Sequence, residues 1–452
     1  MTAPANDNPL LHLEGLPPFD RIRPEHVEPA IREHLSRLHR ALDELERDVR
    51  PTWEGSVARL SAITEPFMLA WSAVGHLMSV QNSPELREAH AAVEGDVVEV
   101  SMRIGQSEPL YRALKALREG PEWERLEEAQ RRVVASSIRD AELSGVGLQG
   151  QARERFLELE RELAELSTRF SNNVIDATKA WSLTLTRPEE VEGLPPSALA
   201  SAAQAAKAGL PEGAPEPTAE QGPWRITLEA PSFVPFMEHS RRPELREQLY
   251  RAYVTRASAG EQDNGPLIER ILTLRREKAR LLGYGSYAEV SLASKMAPDV
   301  ATVEKLLGEL RDASLPRARK EHAELVDFAR RKSGNASLAL WDVPFWAERL
   351  REERYAYTDE ELRPYFALPR VLEGLFDTAR RLFGITVRAA DGEVPVWDEC
   401  VRFFRVADES GQDIAAFYLD PYSRPATKRG GAWMNNALDR KRLPDGSVRL
   451  PV

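Results

Sequence analysis

Seven apolar side chains, Val27, Ile31, Leu35, Leu38, Leu42, Leu45 and Val49, recur at steps of 4, 4, 3, 4, 3 and 4. That is the period of one helix face, and Arg, Glu and Asp fill the rest of the turn. Pro29 falls in the first turn of this run, where a missing N–H costs little. Phe156, Leu159, Leu163, Leu166, Phe170 and Val174 repeat the pattern at steps of 3, 4, 3, 4 and 4. Gly145, Gly147 and Gly150 punctuate the stretch before them, so one helix is expected to end near Leu143 and reverse into the next. Consecutive stripes joined by short loops predict an antiparallel helical bundle. Core packing outweighs coiled-coil or membrane-active faces, because the runs are short and the polar faces carry both signs.

Two segments alternate in period two instead: Trp181 to Thr186 and Trp224 to Glu229. Both predict strands that pair with each other. Between them an Ala-rich helix (Ala198 to Leu210) leads into Pro211 to Pro217, a proline-dense surface loop. Helical text resumes near Pro243 and runs to about Phe383, with turns at Gly283 to Gly285 and Ser333 to Asn335. Val394, Val396, Val401, Phe403 and Val406 then suggest a strand, and Asp445-Gly446 a tight turn between two last short strands. β-structure is therefore expected only near 181–186, 224–229 and 394–450, in a chain well over half helical. Residues 1–186 read as an N-terminal helical lobe and 187–223 as a short helix with a surface loop. Residues 224–390 read as a further helical region, and 391–452 as a strand-rich segment. No fixed-period repeat is present, so a solenoid is not expected.

Composition narrows the function. The 452 residues carry 61 basic and 72 acidic side chains, a formal charge of −11. That balance argues against a nucleic-acid partner, which needs a concentrated excess of Lys and Arg. No run approaches the ~18 apolar residues of a membrane span. The N-terminus lacks a basic and an apolar leader region, so a cytoplasmic location is expected. The single cysteine, Cys400, allows no internal disulfide and is expected to be a buried structural thiol beside an apolar strand. The eight histidines (12, 26, 34, 39, 76, 90, 239, 322) include no pair four apart, as a zinc-binding H-E-x-x-H helix requires. His34 and His39 read as polar-face residues. The G-x-x-x-x-G-K-[ST] phosphate loop and the G-x-S-x-G elbow are also missing from the sequence.

Ordered segments across the chain carry a resemblance. They are Asn8-Pro9-Leu10-Leu11, Ile22-Arg23-Pro24-Glu25-His26-Val27, His76 to Arg87, Leu166 to Val174, Tyr250 to Ser258, Lys295-Met296-Ala297, Asp359 to Phe366, Phe417-Tyr418-Leu419-Asp420 and Lys428 to Met434. In this order they resemble the oligopeptidase A branch of the thimet oligopeptidase (M3) family of zinc metallopeptidases. The resemblance implies a mainly α fold, two helical lobes flanking a channel that admits short peptides. This chain would supply the N-terminal helical lobe and, over 391–452, the start of an incomplete catalytic lobe. It also implies a zinc-dependent endopeptidase that degrades short peptides, including spent signal-peptide fragments, and that is a monomer when complete.

In the family the H-E-x-x-H helix and a third, glutamate ligand lie downstream of the R-G-G-A-W stretch, beyond the last residue here. No catalytic residue and no metal ligand can therefore be carried over. Zinc belongs to the complete family enzyme, and this chain, read as truncated, is expected to bind none and to be inactive alone. The missing C-terminal catalytic portion is its expected partner. The alternative is a non-catalytic helical relic that binds peptides or a partner.

One segment can still contact substrate. Tyr422, Arg424, Arg429, Gly430, Gly431 and Trp433 combine an aromatic rim, cations and two adjacent glycines. Gly430-Gly431 would let a peptide backbone approach as an added strand. Their other reading is a tight bend in a small sheet, with Arg429 on the surface. A β-branched residue at Gly430 would block the approach and resist positive φ.

Overall fold

The computed structural model describes residues 8–13, 15–207, 209–211, 213–334, 337–443 and 446–452. Helix occupies 62% and strand 7% of it, so the mainly α expectation holds. Helix α1 (Pro24–Asp48) starts one turn earlier than the stripe suggested, with Pro24 at its first position and Pro29 inside it. Val27, Ile31, Leu35, Leu38, Leu42 and Leu45 are all buried. They pack against α2 (Arg59–Val80) and α3 (Pro84–Gly105) in the largest core. Ser83 caps α3 by accepting a hydrogen bond from Leu86 N at 3.2 Å, which fixes where the chain turns out of α2. Helices α4 (Glu108–Glu119) and α5 (Glu128–Leu143) form a smaller core around Leu114, Leu117 and Val134. As the glycines required, α5 ends at Leu143, and Gly145 follows at φ 77°.

Helix α6 (Gln151–Ala180) lies along α3. Of its stripe only Phe156 and Leu159 are fully buried; the remaining four positions are half-buried. Strands β1 (Ser182–Leu185) and β2 (Trp224–Thr227) pair antiparallel, Ser182 opposite Thr227 and Leu185 opposite Trp224. The intervening helix α7 (Pro196–Lys207), with α8 (Ala230–His239) and α9 (Pro243–Val254), closes a third core on Trp224, Phe236 and Leu249. Helices α10 (Gly265–Leu281), α11 (Tyr287–Leu292), α12 (Val300–Ser333), α13 (Val343–Tyr355), α14 (Asp359–Leu362) and α15 (Leu368–Phe383) follow.

The last segment returns to the start of the chain. Strands β3 (Thr386–Ala389), β4 (Arg402–Ala407) and β5 (Asp413–Leu419) form an antiparallel sheet in that order, and β6 (Lys441–Arg442) pairs with β7 (Val448–Arg449). Trp397, Tyr418 and Trp433 pack on the α1–α3 core, and Glu65 of α2 pairs with Lys441 and Arg449.

Four expectations are corrected. Strand β3 lies at 386–389, before the range assigned to β-structure. Val394 and Val396 are not in a strand; Pro395 between them removes a ladder donor. Cys400 is exposed, in the turn before β4, with its N–H donating to Asp398 Oδ1 at 3.0 Å. His34 is buried, its Nε2 2.9 Å from the Leu10 carbonyl, so it ties the N-terminal segment to α1. Glu212, Asn335 and Asp445, parts of three expected turns, lie outside the described residues. No helix among the described residues is long and apolar enough to cross a membrane.

Candidate functional site

Strand β5 ends at Leu419 and places Asp420 at the foot of the Tyr422–Trp433 loop. The Asp420 side chain is only 10% exposed and meets two cations. Arg424 donates to it twice, at 2.7 and 2.8 Å, and Lys428 Nζ lies 3.0 Å from Oδ1. Trp397 Nε1 donates to Oδ2 at 2.9 Å. Burial alone would raise this carboxyl; the bonds from Arg424, Trp397 and Lys428 outweigh it and hold it down to about 2. Arg424 is further paired with Asp398 at 3.1 Å, and Lys428 also donates to the Asp420 and Tyr422 carbonyls.

Beneath this cluster, the rings of Phe19, His76, Trp397 and Tyr418 pack tilted or edge-on, with the His76 and Trp397 ring centres 4.2 Å apart. Burial lowers His76 to about 4, although nearby Asp420 opposes the shift. The ring is therefore neutral near pH 7. Desolvation raises the Tyr418 phenol.

The loop is also clamped to the helices by its backbone. Arg429 N donates to Ser79 O at 2.8 Å, and Asn82 N donates to Thr427 O at 2.8 Å. Lys179, from the end of α6, donates to Ala426 O at 2.9 Å. Residues 430–436 then belong to no helix or strand, and their backbone N–H and C=O groups pair with no other described residue. Gly431 has φ 101°, a conformation that favours glycine; Gly430 does not lie in that region, so the positive-φ argument belongs to its neighbour. A Cβ at Gly430 would stand 3.3 Å from Glu229 Oε2. Glu229 is a half-buried carboxylate raised by desolvation, and it lines a cavity of about 560 Å³ between α7, β2 and α8.

The six residues singled out from the sequence thus fall into two groups. Tyr422, Arg429, Gly430 and Gly431 are exposed along the loop, and the Arg429 guanidinium covers the half-buried Trp433 ring at 4.5 Å. Arg424 is consumed by two carboxylates and faces inward. The residues missed were Asp420, Lys179 and Glu229. A carboxylate four residues before Arg424 and eight before Lys428 was the available signal for the first. Nothing local marks the other two, which arrive from the end of α6 and from the turn between β2 and α8.

A possible metal-ligand group exists elsewhere. His239 at the end of α8 and Glu348 and Glu352 on α13 offer atoms within 4.8 Å of one another. Their chemistry does not fit zinc. Arg351 binds both oxygens of Glu348, and Arg349 binds both of Glu352. Arg349 Nη2 also lies 3.0 Å from His239 Nδ1. Two guanidinium groups already neutralise the carboxylates, and a divalent ion would have to displace both.

Comparison with known proteins gives the class. The family model "Peptidase family M3" matches residues 236–452, and "Neurolysin/Thimet oligopeptidase, N-terminal domain" matches residues 31–153. The chain belongs to the M3 family of metallopeptidases. Within it, the chain is similar to oligopeptidase A. It is 49% identical over 99% of its length to the Arabidopsis thaliana "Organellar oligopeptidase A, chloroplastic/mitochondrial", covering 57% of that protein. It is 40% identical over 98% of its length to Escherichia coli oligopeptidase A, covering 65% of it. It is 48% identical over 99% of its length to the Arabidopsis "Probable cytosolic oligopeptidase A", covering 64% of it. The chain therefore spans about three-fifths of the length of these curated relatives. Among solved structures, a putative oligoendopeptidase F from Bacillus anthracis aligns at TM-score 0.43 and 15% identity, over 70% of this chain and 48% of that one.

Proposed function

We propose that the chain is the substrate-cradling portion of an oligopeptidase A-like metalloendopeptidase and that residues 430–436 bind the backbone of a short peptide. The observation that carries this reading is the backbone of 430–436, which pairs with no other described residue and follows a loop clamped at both Asp420 and Ser79. An extended peptide can satisfy those N–H and C=O groups as an added strand. Tyr422 and the Arg429–Trp433 pair supply an aromatic and cationic rim. Gly430 and Gly431 keep the approach clear of side chains.

Zinc in the complete enzyme would supply a polarised water and a Lewis acid. The His239–Glu348–Glu352 group does not fit that role, so no step is assigned to it. Arg424 is an anchor of the loop in this reading and makes no contact with substrate. By itself the chain binds peptide and does not cleave it, and cleavage requires the remaining catalytic portion as partner. Short peptides, including signal-peptide fragments, are the proposed substrates. We place the activity in the cytoplasm, a reading that similarity to the cytosolic relative supports; fractionation tests it against the organellar one.

A quenched fluorescent peptide tests the assignment. The 452-residue chain should give no chelator-sensitive turnover; turnover at the level of an intact relative would overturn the reading.

A further inference from the structure

Two helices in the peptidase segment carry apolar faces that the described chain leaves open. On α12, Leu306, Leu307 and Leu310 are 56%, 59% and 57% exposed, and with half-buried Val303 they fall on one face. The only buried residues of this helix are Leu325, Phe328 and Ala329, all in its last third. On α15 no residue is fully buried. Phe376 reaches the sheet, against Phe404 and Phe417, while Leu368, Val371, Leu375 and Leu382 line the neighbouring arc and stay exposed. The stripe of α1 is written in the same period, yet it is buried throughout its length. In proteins most helical stability comes from packing an apolar face on tertiary partners rather than from propensity, and monomers rarely expose apolar faces of this extent.

We propose that the first half of α12 and the outer face of α15 are docking surfaces for the remainder of the peptidase polypeptide. This rests on the reading above, that the chain is one portion of a longer peptidase. Both helices lie inside the matched peptidase segment, 236–452, and the relatives are longer than the matched length by about a third or more of their own chains. The missing cover therefore has a source of the right size and kind. The polar side of α12 carries both signs, including the Lys305–Glu309 and Arg317–Glu321 pairs. A lipid surface would instead select a predominantly basic face.

The test co-expresses the tagged chain with the unmatched third of the Escherichia coli oligopeptidase A and measures retention and stoichiometry. A 1:1 complex is expected. Leu307→Asp and Leu375→Asp should each weaken it ~100-fold, as for a central contact. Met68→Asp, on an exposed position of α2, should leave it unchanged. On the chain alone, amide exchange over 300–315 and 368–383 should be far faster than in α1, and slower once the complex forms.

No association, association indifferent to Leu307→Asp and Leu375→Asp, or equal protection of these helices and α1 in the monomeric chain would overturn the proposal. So would a stable dimer of the chain alone that both variants dissociate. Peptide protection of 430–436 is read separately, so a failed assembly and a failed peptide edge are distinguishable.

Discussion

Replacing Asp420 by asparagine removes the charge that holds the Tyr422–Trp433 loop. The side chains of Arg424 and Lys428 are 16% and 11% exposed, so they cannot simply turn to water. Breaking a fully buried ion pair from one side costs ~3–5 kcal/mol. Here Arg424 keeps Asp398 and Lys428 keeps two carbonyls, which places the expected loss at the lower end, about 3 kcal/mol. Linkage gives a comparable figure. A carboxyl held at about 2 against an ordinary 3.8 contributes about 2 kcal/mol. Because the folded state depresses this group, its contribution is complete well above pH 3.8 and is lost as pH falls through about 2. Urea unfolding followed by tryptophan fluorescence should therefore find Asp420→Asn weaker by about 3 kcal/mol at pH 7. The gap should narrow by about 1 kcal/mol at pH 3. Exchange at the Arg429 and Asn82 amides should accelerate in parallel, since the loop would loosen from α2. A loss below about 1 kcal/mol at pH 7, or a gap that does not change down to pH 3, would refute the anchoring argument.

Other outcomes follow from the same geometry. Burial holds His76 at about 4 against 6.5, so its contribution is complete above pH 6.5 and is lost as pH falls through about 4. The difference amounts to about 3 kcal/mol, and His76→Phe should remove that part of the acid sensitivity in parallel urea titrations. Gly431→Val should be strained, because φ is 101° there, and should lower the melting temperature; Gly430→Val should mainly lower peptide affinity, because it meets only the flexible Glu229 carboxylate. Elemental analysis of chain purified at neutral pH should find no stoichiometric zinc. One tightly held ion that Glu348→Gln releases would show that the arginines yield to metal.

Helices with strong, fully buried stripes were legible in the sequence, because period and burial coincide: α1 is the clearest case, and the glycines after α5 marked its end. The β1–β2 pair was legible from alternation alone. Helix α6 shows the limit, since the same period yields only half-buried positions once a helix lies along others at an edge. His34 and Cys400 failed for opposite reasons. The first gains a carbonyl partner from a segment 24 residues away, and the second sits in a turn that its apolar neighbours do not share. In the Tyr422–Trp433 loop, residue types alone did not reveal the direction the cations face. That direction is set by Asp420, and the clamps from Ser79, Asn82 and Lys179 are long-range contacts that no local pattern encodes.

The claim that matters most is that the backbone of 430–436 receives a peptide. Amide hydrogen exchange on the 452-residue chain, with and without a saturating short unstructured peptide, measures it directly. Exchange over 430–436 should slow on peptide addition, and Gly430→Val should abolish the slowing while leaving the α1 amides unaffected. Unchanged exchange over 430–436, with protection appearing elsewhere or nowhere, would contradict the account.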